Sequence, residues 1–99
     1  MRLTPTQIHA ITQTLSRLAN GTAEVFLFGS RTDDRARGGD VDLLIETPAP
    51  LTLIERARIK VTLESLMSLP VDIVSQTRGV APTPFQRIAR SNAVRLEAP

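Results

Sequence analysis

The sequence contains no cysteine, which removes disulfides, thiolate metal sites and cysteine nucleophiles together. Its one histidine, His9, makes a zinc site built on several imidazoles or a catalytic triad with a choice of bases nearly impossible. His9 falls off the apolar stripe of its helix and reads as a solvated residue. Any metal must therefore be held by oxygen donors, which favours Mg²⁺ or Mn²⁺. No run approaches the roughly 18 apolar residues of a membrane span, and Met-Arg-Leu-Thr-Pro carries no signal-peptide core. A reducing cytoplasm is the expected compartment. Net charge is also scarce: +2 is too little to argue for general nucleic-acid binding.

With 41% hydrophobic and 22% charged residues, the 99-residue chain is expected to fold as one domain, residues 1–99, with a modest core. A separate acceptor-binding domain would not fit. Eleven of the twelve basic residues are arginine, which suits bidentate phosphate contacts and equally suits the codon bias of a GC-rich genome.

Three threonines announce helices, each followed three residues later by a glutamine or glutamate able to close a capping box: Thr4 with Gln7, Thr52 with Glu55, and Thr83 with Gln86. The first helix carries Ile8, Ile11, Leu15 and Leu18 at helical spacing and should stop at Asn20-Gly21. The second can run from Thr52 to about Leu69, ahead of Pro70, and the third places Phe85, Ile88 and Ala89 on one face. Strands are expected at residues 24–28, 40–46 and 71–75, with 76–81 a loop and a short edge strand within 93–97. Residues 31–39 form a polar loop closed by Gly38-Gly39. The order α-β-β-α-β-α, with the added edge strand, is that of an α/β domain. The second helix has two apolar stripes, Ile54, Ala57 and Val61 on one side and Ile59, Leu63, Leu66 and Met67 roughly opposite. A small sheet needs only one of them, so the other faces either a further helix of the domain or another chain.

Side chains alternate along a strand, so Val41, Leu43 and Ile45 can enter a core while Asp40 and Asp42 share the opposite face. Two strand rises put their Cα atoms roughly 6.5–7 Å apart. Carboxylates aimed the same way repel unless a cation lies between them, which fits one or two hard divalent ions; an edge strand showing acids to water is the plainer alternative. Gly29-Ser30 ends a buried strand in a sharp turn, offering free N–H groups and a hydroxyl to phosphate oxygens, or forming an ordinary turn. Arg31, Arg35 and Arg37 stand near enough to neutralise phosphates, although Arg35 and Arg37 read better as solvated. Asp72, in Val-Asp-Ile-Val, sits where aspartate is disfavoured and so calls for a reason. Asp33 and Asp34 lie in the loop and need none. Glu46 shares the parity of Asp40 and Asp42 and is a reserve carboxylate.

Phe-Gly-Ser-Arg, a ten-position step from Ser30 to Asp40-Val-Asp42-Leu-Leu-Ile-Glu, then a helix and Val-Asp72-Ile-Val, resembles the DNA polymerase β-type nucleotidyltransferase superfamily. The smallest branch, the minimal nucleotidyltransferases, is the nearest in length, and the resemblance covers about residues 5–96. It implies a small mixed β-sheet flanked by helices. It implies ATP as the nucleotide, with Gly29, Ser30 and Arg31 at its phosphates. Asp40 and Asp42 would hold Mg²⁺, two ions or Mn²⁺ in their stead, and Asp72 would complete the metal site or act as base. It further implies a toxin–antitoxin setting, in which such proteins adenylylate a HEPN-domain RNase toxin. Three functions follow: transfer of AMP to a partner protein, a non-catalytic antitoxin acting by contact, and a small-molecule nucleotidyltransferase. Self-association is left open.

Overall fold

Each helix begins where a threonine caps it. In the computed structural model, which describes residues 2–19, 22–32 and 39–97, Thr4 Oγ1 accepts from the Gln7 N–H at 3.1 Å and Gln7 Oε1 accepts from the Thr4 N–H at 2.9 Å. The same reciprocal pair joins Thr52 to Glu55 and Thr83 to Gln86. Each box satisfies two donors that would otherwise lack partners and contributes about 1 kcal/mol. The helices that follow are α1 (Pro5–Leu18), α2 (Leu53–Met67) and α3 (Pro84–Ser91). The expected stop at Asn20-Gly21 lies outside the described residues; α1 ends as the Ala19 N–H returns to the Leu15 carbonyl. Ser68, left-handed at φ 55°, terminates α2.

Four strands, β1 (Glu24–Phe28), β2 (Val41–Thr47), β3 (Val71–Thr77) and β4 (Val94–Leu96), form one mixed sheet in the order β3-β2-β1-β4. β1 runs antiparallel to β2 and β4, while β2 and β3 run parallel, joined by the crossover through α2. This is the α/β architecture expected, with the short edge strand in place. The third strand is longer than its sequence suggests: Gln76 and Thr77, read as loop, pair with Glu46 and Thr47. The ladder with β2 continues there because Thr47 still offers a carbonyl, taken by the Arg78 N–H at 2.7 Å.

One face of the sheet supplies Val25, Leu27, Val41, Leu43, Ile45 and Val71 to the core, closed by Ile11 and Leu15 of α1, Ile59 and Leu63 of α2, and Leu96. On the other face α3 covers Phe26 and Leu44 with Ala89, and the Arg90 guanidinium stacks 4.0 Å from the Phe26 ring centroid. The outer β3 edge is closed by side chains. Lys60 donates to the Val71 carbonyl, Arg56 to Ile73, Gln86 to Ser75, and Glu64 accepts from the Val71 N–H. An edge so occupied is a poor template for another strand. No helix among the described residues is long and apolar enough to cross a membrane.

The two stripes of α2 part ways. Ile59 and Leu63 are fully buried and Met67 packs beside them, whereas Ile54 and Val61 remain exposed, as does Leu66. Neither α1 nor α3 covers the Ile54–Ala57–Val61 face. Leu63→Ala should therefore cost about 2–5 kcal/mol in urea denaturation, and Val61→Ala within about 0.5 kcal/mol of nothing. Similar losses in the two variants would contradict this assignment of faces.

Candidate active site

The end of the sheet where β1 finishes and β2 and β3 begin collects the acids. Asp42 lies directly across from Phe28 on one side and from Asp72 on the other, so the register alone makes the two aspartates neighbours on one face. Below them β1 ends at Phe28 and the chain turns through a 3-10 turn, Gly29–Thr32, steadied by the Thr32 hydroxyl donating to the Gly29 carbonyl at 2.8 Å. Gly29 has φ 78°, and a Cβ there would stand 2.3 Å from Asp42 Oδ2. Glycine is thus needed twice over, for the left-handed backbone and for the approach of the carboxylate.

The electrostatics follow from that crowding. The Asp42 carboxyl titrates above the ordinary aspartate range, first because it is partly buried, then because the charges of Asp72 and Asp40 oppose its own. A hydrogen bond between the Asp42 and Asp72 carboxyl groups acts in the same direction. Asp72 is itself more exposed, with Lys60 Nζ 4.0 Å from its Oδ1. Asp40 is exposed just ahead of β2. Among the described residues no three acidic or histidine side chains close up into a ready-made ligand cluster; the strand register brings Asp42 and Asp72 side by side, with Asp40 just ahead of β2, against the repulsion of their charges. All three are hard oxygen donors whose mutual repulsion a divalent cation would relieve, so the donor set fits Mg²⁺ or Mn²⁺.

Arg31 has a second occupation that its sequence position does not reveal. Its Nη1 donates to the Arg2 carbonyl at 2.8 Å, Nη2 to Gly39 at 3.1 Å and Nε to Asp40 at 3.2 Å, while the Arg2 N–H returns to the Arg31 carbonyl at 2.8 Å. The guanidinium thereby ties the N-terminal segment to the backbone that delivers Asp40. Two of its five N–H groups are left over for any phosphate. The Ser30 side chain, and Asp33, Asp34, Arg35, Arg37 and Gly38, lie outside the described residues.

Glu46 is otherwise engaged. It takes Arg90 Nη1 at 2.7 Å and Arg78 Nε at 3.2 Å, with 13% of its side chain exposed, at the far end of β2 from Asp40. A cleft of about 360 Å³ between α1 and β4 contains none of the candidate residues. Sequence reasoning missed Lys60, although it is the sole lysine in an arginine-rich chain.

The comparisons with known proteins bear on the family and the fold. The family model described as a nucleotidyltransferase domain matches residues 8–96. A solved structure of a protein assigned as a minimal nucleotidyltransferase superposes with a TM-score of 0.66 at 34% identity, covering 94% of this chain and 96% of that one. No curated protein matches the chain. The chain belongs to the nucleotidyltransferase domain family, in its minimal branch. Its general activity is transfer of a nucleotidyl group.

The role of Glu46 is open to a pH test. Its carboxyl is held below the ordinary value of 4.5, chiefly by the hydrogen bond from Arg90 and then by that from Arg78, against the effect of burial. A depressed folded pKa gives stability that is fully present above 4.5 and is lost as pH falls through the lower folded value. Glu46→Gln should lower stability at pH 7 by about 1–2 kcal/mol, between the costs of breaking an exposed and a buried pair. Thermal melts should also show a flatter decline for the variant below pH 4.5. Parallel acid profiles for the two proteins would contradict the ion-pair role.

Proposed function

We propose that the protein is a Mg²⁺-dependent nucleotidyltransferase that moves a nucleoside monophosphate, AMP from ATP foremost, to an acceptor hydroxyl on a partner protein. The observation that carries this reading is the Asp42 carboxyl. It is partly buried, pressed by the charges of Asp72 and Asp40, and packed close against Gly29, where any side chain would collide with it. Three like charges gathered at one sheet end repel, and a cation held among them would relieve that repulsion.

In this reading the backbone N–H groups of Gly29 and Ser30 take the outer phosphates of the triphosphate. Asp40 and Asp42 hold the divalent ion, with Asp72 as third ligand or as the group that accepts the acceptor's proton. When bound, the ion supplies charge neutralisation along the phosphates and a fixed line between attacking and leaving oxygens. The acceptor oxygen forms its bond to the α-phosphorus as the bond to the β-phosphate oxygen breaks, and pyrophosphate departs. Lys60, across from Asp72, steadies the orientation of that carboxylate. Arg31 acts through the backbone as a positioning residue by fixing Gly39 and Asp40.

The uncovered Ile54–Ala57–Val61 face supports an acceptor presented by another chain, and a HEPN-domain toxin in the cytoplasm is the partner the motif resemblance suggests. The same surface favours a second reading, an antitoxin that neutralises by contact. Calorimetry separates the two. For the enzyme, ATP should bind in Mg²⁺ and about tenfold or more weakly in EDTA, and a folded Asp42→Asn variant should lose both that difference and transfer of label from ATP. Equal ATP affinity with and without metal would contradict the catalytic reading and leave the contact reading standing.

A further inference from the structure

Beside the Gly29 turn the protein displays hydrophobic surface that its own fold does not use. Phe85 is 58% exposed and Ile88 72%, although both sit on α3, the helix that covers this face of the sheet. The sequence places Phe85, Ile88 and Ala89 on one face; of these only Ala89 is buried. The helix is nonetheless pinned. Its capping box fixes one end, Gln86 Nε2 donates to the Ser75 carbonyl at 3.0 Å, and Arg90 is held by Glu46 and the Phe26 ring. Phe85 and Ile88 are thus presented on a rigid support.

What they border is a cleft of about 270 Å³ whose lining includes Phe28, Gly29, Thr32, Phe85, Ile88 and Asn92. Phe28 and Phe85 meet edge to face, centroids 6.5 Å apart at 81°, which makes one corner of aromatic surface. Phe28 is also the direct cross-strand partner of Asp42. The cleft therefore lies next to the carboxylates, one strand position from Asp42, and includes Gly29 and Thr32 of the turn. Two of the chain's three aromatic residues stand there, and it has no tryptophan or tyrosine to serve elsewhere.

We propose that this cleft seats the nucleobase of the nucleoside triphosphate, an assignment that rests on the reading of the Gly29 turn and carboxylates given above. A flat base has an apolar face for Phe85 and Ile88 and a polar edge for the rim. At that rim the Asn92 side-chain amide makes no hydrogen bond to a described residue. It carries both a donor and an acceptor, and by turning over it serves either purine. Thr32 is already committed to the Gly29 carbonyl. Recognition is then by stacking, with purines preferred for their area and little discrimination between adenine and guanine.

Inorganic tripolyphosphate, ATP, GTP and CTP, each titrated calorimetrically with Mg²⁺, test this. Wild type should bind ATP and GTP alike and more tightly than CTP, and all three more tightly than tripolyphosphate. Phe85→Ala should weaken ATP about 5- to 150-fold, the range of one lost base–aromatic stack, and leave tripolyphosphate unchanged, which also certifies the fold. Phe85→Tyr should restore the ATP affinity. Equal affinity of wild type for ATP and tripolyphosphate would overturn the base site while sparing the phosphate site. Unchanged ATP binding in Phe85→Ala, accompanied by loss of self-association in size-exclusion chromatography, would overturn it in favour of a second copy of the chain. Binding of none of the four ligands would sink the phosphate reading and the base site with it.

Discussion

Asp42 and Asp72 stand side by side because β2 and β3 are parallel and in that register, and any slip of one residue would turn one of them into the core. Their repulsion, with Asp40 adding to it, is the constraint around which the rest of this end of the molecule is arranged. The register in turn is held by the apolar residues between the acids. Val41 pairs with Val71 and Leu43 with Ile73 under α2, so the burial that stabilises the fold also forces the carboxylates together on the far side. A protein selected for stability alone would have little use for that arrangement.

Neighbouring features accommodate this charge from different directions. Gly29 removes the side chain that would collide with Asp42 and bends the chain away from it. Arg31 clasps Arg2, Gly39 and Asp40 through their carbonyls and so anchors the segment leading into β2. Lys60 reaches round the β3 edge to stand near Asp72, while Glu64 and the Val71 carbonyl keep it in place. At the opposite end Glu46 is neutralised by Arg78 and Arg90, so the acid on the same face of β2 that could have competed for a cation is removed from the field.

The sequence made some of this legible for local reasons. Thr4, Thr52 and Thr83 marked the helix starts because a capping box is written in residues three apart, and the alternation through Val41, Asp42 and Leu43 set the carboxylates on one face. What depended on distant partners was not legible. Phe85 and Ile88 have the spacing of a buried stripe, but spacing cannot say whether anything lies opposite, and an eight-residue α3 covers the sheet with Ala89 and its polar neighbours instead. The two stripes of α2 posed the same problem, settled by which side met Val41 and Leu43. Gln76 joined β3 only because Glu46 was there to pair with it. Arg31 carries the mark of a phosphate ligand in sequence, and its grip on three carbonyls is visible only when Arg2 and Asp40 are brought beside it.

The most direct test of the central claim, that Asp40, Asp42 and Asp72 together form a cation-seeking site at the Gly29 turn, is paramagnetic broadening by Mn²⁺ in the amide spectrum of this 10.8 kDa protein. At substoichiometric Mn²⁺ the expected result is selective loss of the signals of Gly29, Asp40 to Leu43 and Asp72, reversed by excess Mg²⁺ and absent in Asp42→Asn. Broadening centred on Glu24 and Glu97 instead, or spread evenly over the surface acids, would contradict it.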